Sequence, residues 1–241
     1  MTNLTGLVGV VTGASSGIGE GLAKMLAAEG VKVALAARRV EELGRVAAEI
    51  RAGGGTAVVV PTNVREEDQL KNLIERTQQE LGPIDLLVNN AGVARNQPIH
   101  KLNMKHWDLV MDVNLRAPAY LCSVVLPGMR ERRRGFIINI ASEAGLFVYA
   151  GMGAYTVSKN AVRVLTQLIQ DENQNRNIKA WAICPGMVDT PMGAEMPSGN
   201  LERFLKVDEV VDVVRFLLKQ GDNVKMGPEI LIRTMLNPFE H

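Results

Sequence analysis

Seven short, almost wholly apolar runs spread along the chain constrain its fold more than any other feature. They lie at 6–12, 31–36, 56–60, 84–89, 135–141, 178–184 and 229–233. Val31-Lys32-Val33-Ala34-Leu35-Ala36 and Phe136-Ile137-Ile138-Asn139-Ile140 are typical. A strand with one wet face alternates apolar and polar residues, whereas near-continuous apolarity suits parallel strands covered on both faces. Helical patterns fill the gaps, near 18–29, 40–52, 66–81, 103–133, 152–174 and 208–219. In the first, Ile18, Leu22, Met25 and Leu26 form an apolar face, Glu29 marks its wet edge and Gly30 a stop. Strand–helix alternation predicts right-handed crossovers and an α/β, doubly wound, seven-stranded, mainly parallel sheet with helices on both faces. At 241 residues, with no linker, repeat or low-complexity segment, the expectation is one domain over 1–241.

The formal net charge of +1 gives no broad field for nucleic acid or an anionic membrane. The one dense basic cluster, Arg130, Arg132, Arg133 and Arg134, falls at a helix C-terminus before Gly135, where the dipole favours cations. Cys122 and Cys184 sit in apolar stretches and read as buried thiols of a reducing compartment. His100, His106 and His241 form no ligand motif, so no metal is expected. No signal core leads the chain and no apolar run approaches membrane-spanning length, so a cytoplasmic location is expected.

The first apolar run leads into Thr12-Gly13-Ala14-Ser15-Ser16-Gly17-Ile18-Gly19 and then a helix. Glycines there permit a tight turn and let backbone N–H groups approach a pyrophosphate, which the helix N-terminus also attracts. The spacing is Gly-x-x-x-Gly-x-Gly. One interval breaks the rhythm: residues 185–207 carry Pro185, Gly186, Pro191, Gly193, Pro197, Ser198 and Gly199 with Met187, Met192 and Met196. So long a loop following a strand's C-terminal end is read as a substrate-covering segment, about 187–207, in preference to a slack surface loop.

The octapeptide from Thr12 to Gly19 resembles the cofactor fingerprint of the short-chain dehydrogenase/reductase family, in its shorter single-domain branch with a Rossmann-like fold. The resemblance continues through Asn89-Asn90-Ala91-Gly92, Asn114, Ser142, Tyr155-x-x-x-Lys159 and Pro185-Gly186, in order. It implies cofactor contacts from Gly13, Ser15, Ser16, Gly17, Ile18 and Gly19, from Asn90, Ala91 and Gly92, and from Pro185, Gly186, Val188 and Thr190. Val188 and Thr190 would hold the nicotinamide carboxamide. Asn63-Val64 stands where the family more often has Asp at the adenine amino group; the Asn carbonyl oxygen can accept that bond.

Selection of NAD often uses an acidic residue after the second strand. Here Ala37 takes that place and Arg38-Arg39 follows. An ever-charged guanidinium suits a 2′-phosphate, so NADP(H) is expected, with Arg38 the first choice and Arg39 its helper.

Tyr155 and Lys159, spaced i, i+4, share one face of a helix. A phenol, with pKa about 10, is a poor base at neutral pH, and a nearby ammonium should lower that value. Tyr155 would then exchange a proton with the oxygen of an alcohol or carbonyl as hydride leaves or joins its carbon. By resemblance Ser142 orients that oxygen, Lys159 also binds the nicotinamide ribose, and Asn114 seats a relay water.

The expected partner is a small-molecule ketone, aldehyde or secondary alcohol, facing Ala94, Arg95, Asn96, the segment Glu143–Tyr149 with Leu146 and Phe147, and Met187, Met192, Met196 and Phe204. Met-rich walls adapt to varied shapes. Arg95 and Glu143 either read a charged group or sit on a wet rim. The tail Thr234-Met235-Leu236-Asn237-Pro238-Phe239 lacks the Asp-Gly-Gly turn of many acyl-carrier-protein reductases. Family resemblance implies a homotetramer or homodimer. Two other readings compete: an epimerase or dehydratase, which is usually longer, and a non-enzymatic NADP(H) sensor, which commonly lacks the Tyr or the Lys.

Overall fold

The computed structural model describes residues 2–194 and 201–235. In chain order the elements are β1 (Val8–Thr12), α1 (Gly17–Ala28), β2 (Lys32–Ala37), α2 (Val40–Ala52), β3 (Ala57–Pro61), α3 (Glu67–Glu80), β4 (Leu86–Asn89), α4 (Met104–Met111), α5 (Ala117–Arg132), β5 (Gly135–Ile140), α6 (Gly153–Asn173), β6 (Ile178–Pro185), α7 (Pro191–Ala194), α8 (Val207–Leu218) and β7 (Glu229–Ile232). The strands form one seven-stranded sheet in the order β3-β2-β1-β4-β5-β6-β7. Every pairing is parallel, where the sequence predicted a mainly parallel sheet.

The apolar runs owe their continuity to burial on both faces. Val33 and Leu35 of β2 join α1, α2 and α8 in one core cluster. Their neighbours Ala34 and Ala36 join α3 and α5 in a second. Successive side chains point to opposite faces of a strand, so a sheet covered twice leaves few positions for polar residues.

The predicted helix 103–133 is one helical run with a break in its pitch. A π-helical turn, Asp112–Arg116, joins α4 to α5. Such wide turns inside α-helices recur at functional sites, and this one carries the buried Asn114. By length and composition alone the run 104–132 is apolar enough to cross a membrane, contrary to the sequence expectation. Its apolar residues have another use: Val113, Ala117, Leu121, Cys122, Val125 and Met129 pack in the second core cluster. At its end Arg133 takes a left-handed conformation, φ 53°. The four arginines are committed locally. Arg130 bonds the Asn173 side chain, Arg132 the Ile84 carbonyl, Arg133 the Asn175 carbonyl and Arg134 the buried Asp85.

Chain order reverses between β1 and β4, where the crossovers leave for opposite faces of the sheet. In open sheets of this kind the crevice beyond the carboxyl ends of those strands receives ligands.

Candidate active site

The sequence-predicted site residues among those described lie at or after the strands' carboxyl ends or on helices packed beside them. The turn after β1 and the segment after β4 are locked together. Thr12 Oγ1 accepts the backbone N–H groups of Asn90 at 3.0 Å and Ala91 at 3.1 Å. In return Asn90 Nδ2 donates to the Thr12 and Gly13 carbonyls at 3.0 and 3.2 Å.

This packing explains the glycines. A Cβ on Gly13 would lie 2.7 Å from Asn90 Nδ2, and one on Gly19 would lie 2.3 Å from both Asn90 Nδ2 and the Gly13 carbonyl oxygen. Gly13 and Gly17 also have φ of +65° and +57°, the left-handed region that favours glycine. The first turn of α1 thus reaches the surface with bare backbone, and its N–H groups have no partner within the helix. A pyrophosphate fits such a cradle.

Of the two arginines after β2, Arg39 reaches the turn. Its Nη2 donates to Ser15 Oγ at 3.0 Å and Ser16 Oγ at 2.6 Å. Arg38 is exposed and has no polar partner among the described residues. The structure thus ties Arg39 to the turn and leaves Arg38 facing solvent. Asn63 Oδ1 already accepts the Arg65 N–H at 3.3 Å, and Val64 is buried.

A second cluster gathers Asn114 and Lys159 around Gly92, with Tyr155 beside Lys159. A Cβ on Gly92 would lie 3.5 Å from Lys159 Nζ and 3.6 Å from Asn114 Oδ1. Asn114 is bonded to the Val93 backbone and donates to Ser158 Oγ at 3.0 Å. Ser158 in turn donates to the Tyr155 carbonyl at 2.8 Å. Lys159, buried at 4% exposure, donates from Nζ to the Ile140 carbonyl at 2.7 Å. That ammonium lies 5.7 Å from the centre of the Tyr155 ring.

Ser142 follows β5, and its Oγ accepts the Ala144 N–H at 3.1 Å. Burial pushes the Tyr155 phenol above its ordinary value; a hydrogen bond with Ser142 pulls it down and the Glu143 charge pushes it up. The net direction is opposite to the sequence expectation. Burial also depresses the Lys159 ammonium, to about 8, with the Cys184 charge acting the other way. The correction is physical: a low-dielectric site disfavours both charged forms.

Pro185 and Gly186 close β6 beside this cluster, and Glu143 Oε2 stands 3.4 Å from where a Gly186 Cβ would be. The predicted pocket residue Glu143 faces inward but is committed, its Oε2 taking the Arg233 Nε at 2.8 Å. The following segment is pinned at its neck. Val188 pairs with Leu205, and Lys206 Nζ meets Asp189 Oδ2 at 3.0 Å. Thr190 Oγ1 donates to the Val188 carbonyl and accepts the Gly193 N–H. Met187 is half-buried, Met192 exposed and Phe204 buried in the core. Met196, Pro197, Ser198 and Gly199, within the stretch 195–200 of the expected covering segment, lie outside the described residues, as do His241 and the tail from Leu236.

A cavity of about 350 Å³ opens at the opposite edge of the sheet, lined by Thr2, Arg134, Asn177 and Asp222 among others. It contains none of the residues above, so the chemistry belongs to the carboxyl edge. Among the described residues no three His, Cys, Asp or Glu side chains gather to hold a metal ion. Sequence reasoning named Thr12 only within the glycine motif and missed Ser158 and Arg233. Position at the end of β1 was the available signal for Thr12; nothing in the linear pattern marked the other two.

The family described as short chain dehydrogenase matches residues 8–200. The chain belongs to this family. An uncharacterized oxidoreductase of Staphylococcus aureus (strain USA300) is 36% identical over 233 residues, 97% of this chain and 99% of the relative. One from Staphylococcus saprophyticus is 35% identical over 236 residues, again 97% and 99% of the two chains. Among solved structures, an alcohol dehydrogenase of the archaeon Thermococcus sibiricus, complexed with 5-hydroxy-NADP, superposes with a TM-score of 0.87 at 28% identity, covering 98% of each chain. A metagenomic short-chain oxidoreductase in complex with NADP gives 0.84 at 34% identity, covering 98% of this chain and 100% of the other. As a short-chain dehydrogenase the protein is an oxidoreductase with a Rossmann-like fold, acting on a small molecule.

Proposed function

We propose that this short-chain dehydrogenase uses NADP(H) to interconvert a ketone or aldehyde and an alcohol, with Tyr155 as the general acid and base. The observation that carries the reading is the placement of Asn114 and Lys159 beside Gly92, with Tyr155 next to the Lys159 ammonium and to Ser142. The glycine cradle and Arg39 fit a phosphorylated dinucleotide, and the NADP complexes of two structural relatives agree. When bound, the nicotinamide would supply or accept the hydride.

The chain's own residues handle the proton and the geometry. A Tyr155 phenol pushed upward by burial stays protonated at neutral pH, ready to donate to a carbonyl oxygen. Ser142, bonded to the same phenol, orients that oxygen. Lys159 holds positive charge beside the ring and stabilises the phenolate left behind. Asn114 and Ser158 fix the helix turn that carries Tyr155 and, with Lys159, seat a proton-relay water. Ser15, Ser16, Gly17, Ile18, Asn63, Val64, Ala91, Val188 and Thr190 complete the cofactor contacts. We further propose a homodimer or homotetramer, favoured by Val157, Val164 and Leu168, which leave apolar surface exposed on α6.

The test is NADPH consumption with a panel of ketones, aldehydes and diketones. Turnover that disappears in Tyr155→Phe is the expected result. Tight NADPH binding without turnover on any carbonyl overturns the reading in favour of a sensor.

A further inference from the structure

The strand β7 delivers a cation to the site that no catalytic step above uses. Gly186 N donates to the Ile232 carbonyl at 2.8 Å, so the residue after Ile232 emerges in register with Gly186. That residue is Arg233. Its Nε bonds Glu143 Oε2 at 2.8 Å, and its guanidinium lies 5.2 Å from the centre of the Phe147 ring. Glu143 also acts on Tyr149, whose phenol is pushed up first by burial and then by the Glu143 charge. The segment after β5 thus holds one guanidinium both from its edge and from its face.

This hold does little for stability. The Arg233 side chain is 53% exposed, and ion pairs so exposed contribute about 0–1 kcal/mol. What it achieves is a fixed orientation. Only the Nε of five N–H donors is engaged among the described residues, and the remaining donors form a planar fork suited to a carboxylate. Glu143 is less able to read a substrate, because Arg233 already pairs with its carboxylate. Arg95 spends Nη1 on its own neighbour, the Ala94 carbonyl, at 2.8 Å.

We propose that Arg233 is a specificity-determining residue that binds a carboxylate on the substrate, with Glu143 and Phe147 as the residues that position it. The substrate class is then an oxo acid or the corresponding hydroxy acid. This rests on the oxidoreductase reading for the identity of the reacting group, but not for the anion subsite itself.

The experiment compares pyruvate, acetoacetate and levulinate, each against its methyl ester. Binding to the NADPH complex is followed by the change in nicotinamide fluorescence, and turnover by NADPH consumption. At least one acid should bind better than its ester. That acid-to-ester preference should fall about tenfold or more in Arg233→Gln and partly return in Arg233→Lys, which keeps the charge but not the fork. Wild-type protein that binds no acid better than its ester overturns the proposal, as does a preference unchanged in Arg233→Gln. The two readings fail separately. Arg233-dependent acid binding without NADPH consumption sinks the oxidoreductase reading and keeps the subsite. Tyr155-dependent turnover without acid preference does the reverse.

Discussion

Asn114 grips Val93 by both of its backbone polar groups. Oδ1 accepts the Val93 N–H at 2.9 Å and Nδ2 donates to the Val93 carbonyl at 2.9 Å. The segment after β4 therefore hangs from a side chain on the π-helical turn, and the same amide reaches Ser158 beneath Tyr155. Asn114→Ala leaves these partners unsatisfied in a buried setting. At about 1–3 kcal/mol for each buried group stranded, the expected loss is roughly 2–4 kcal/mol in denaturant unfolding. NADPH affinity should fall with it, because the 91–93 backbone loses its anchor. A variant within about 0.5 kcal/mol of wild type, the range of neutral surface changes, would show that the grip is dispensable.

Two glycines make a matched pair of opposite sign. Gly19→Ala places a methyl group 2.3 Å from Gly13 O and Asn90 Nδ2, so the turn and the β4 segment must separate. NADPH binding should fall by about 100-fold or more, with several kcal/mol lost, as for other overpacked sites. Gly44, within α2, has nothing within 4 Å of its missing Cβ. Gly44→Ala should stabilise by about 0.5–1 kcal/mol through helix propensity and leave affinity alone. Parallel thermal unfolding and NADPH titration check both; equal behaviour of the two variants contradicts the packing argument.

The fold was legible because burial on two faces writes itself into composition. The run 135–141 became β5 over Gly135–Ile140, and 40–52 became α2 at those residues. The order of Gly13, Asn90, Asn114, Ser142, Tyr155 and Lys159 was legible too, since each follows a strand or faces from a helix. Contacts between distant segments were not. Arg233 lies 90 residues from Glu143 in sequence, and no periodicity marks a pairing set by the β6–β7 register. The π-helical turn was hidden because Asp112–Arg116 contains no glycine or proline to mark a change of pitch. The direction of the Tyr155 shift was misread because spacing shows a neighbouring ammonium but not the depth of burial that opposes it.

The arginine pair gives a direct test of side-chain reach. Both arginines are exposed, but only Arg39 is tied to both serines of the glycine turn. If the 2′-phosphate binds beside the turn, Arg39→Ala should raise the NADPH Kd about tenfold or more, consistent with loss of a charge-assisted pair. The NADH Kd should move far less, and Arg38→Ala should have the smaller effect on NADPH. Isothermal titration with both cofactors decides it: a larger effect of Arg38→Ala restores the order suggested by sequence, and equal effects on the two cofactors remove the phosphate role.

The depressed Lys159 pKa carries a pH signature in stability. Burial lowers it from 10.5 to about 8, so the folded protein disfavours the charged form. Between these values the unfolded chain binds a proton that the folded protein does not, and stability from this group rises with pH. Below pH 8 the full penalty is present, ~3 kcal/mol for a fall from 10.5 to about 8. Lys159→Met removes that penalty along with one hydrogen bond, worth about 1 kcal/mol. Without cofactor, the variant should therefore be more stable than wild type by about 2 kcal/mol at pH 7, the difference between those two terms. The advantage should shrink as pH rises from 8 towards 10. Denaturant unfolding of both proteins at pH 7, 8, 9 and 10 measures the difference directly. A gap that stays constant across that range would mean that Lys159 keeps an ordinary ammonium in the fold, and with it that its charge costs nothing beside Tyr155.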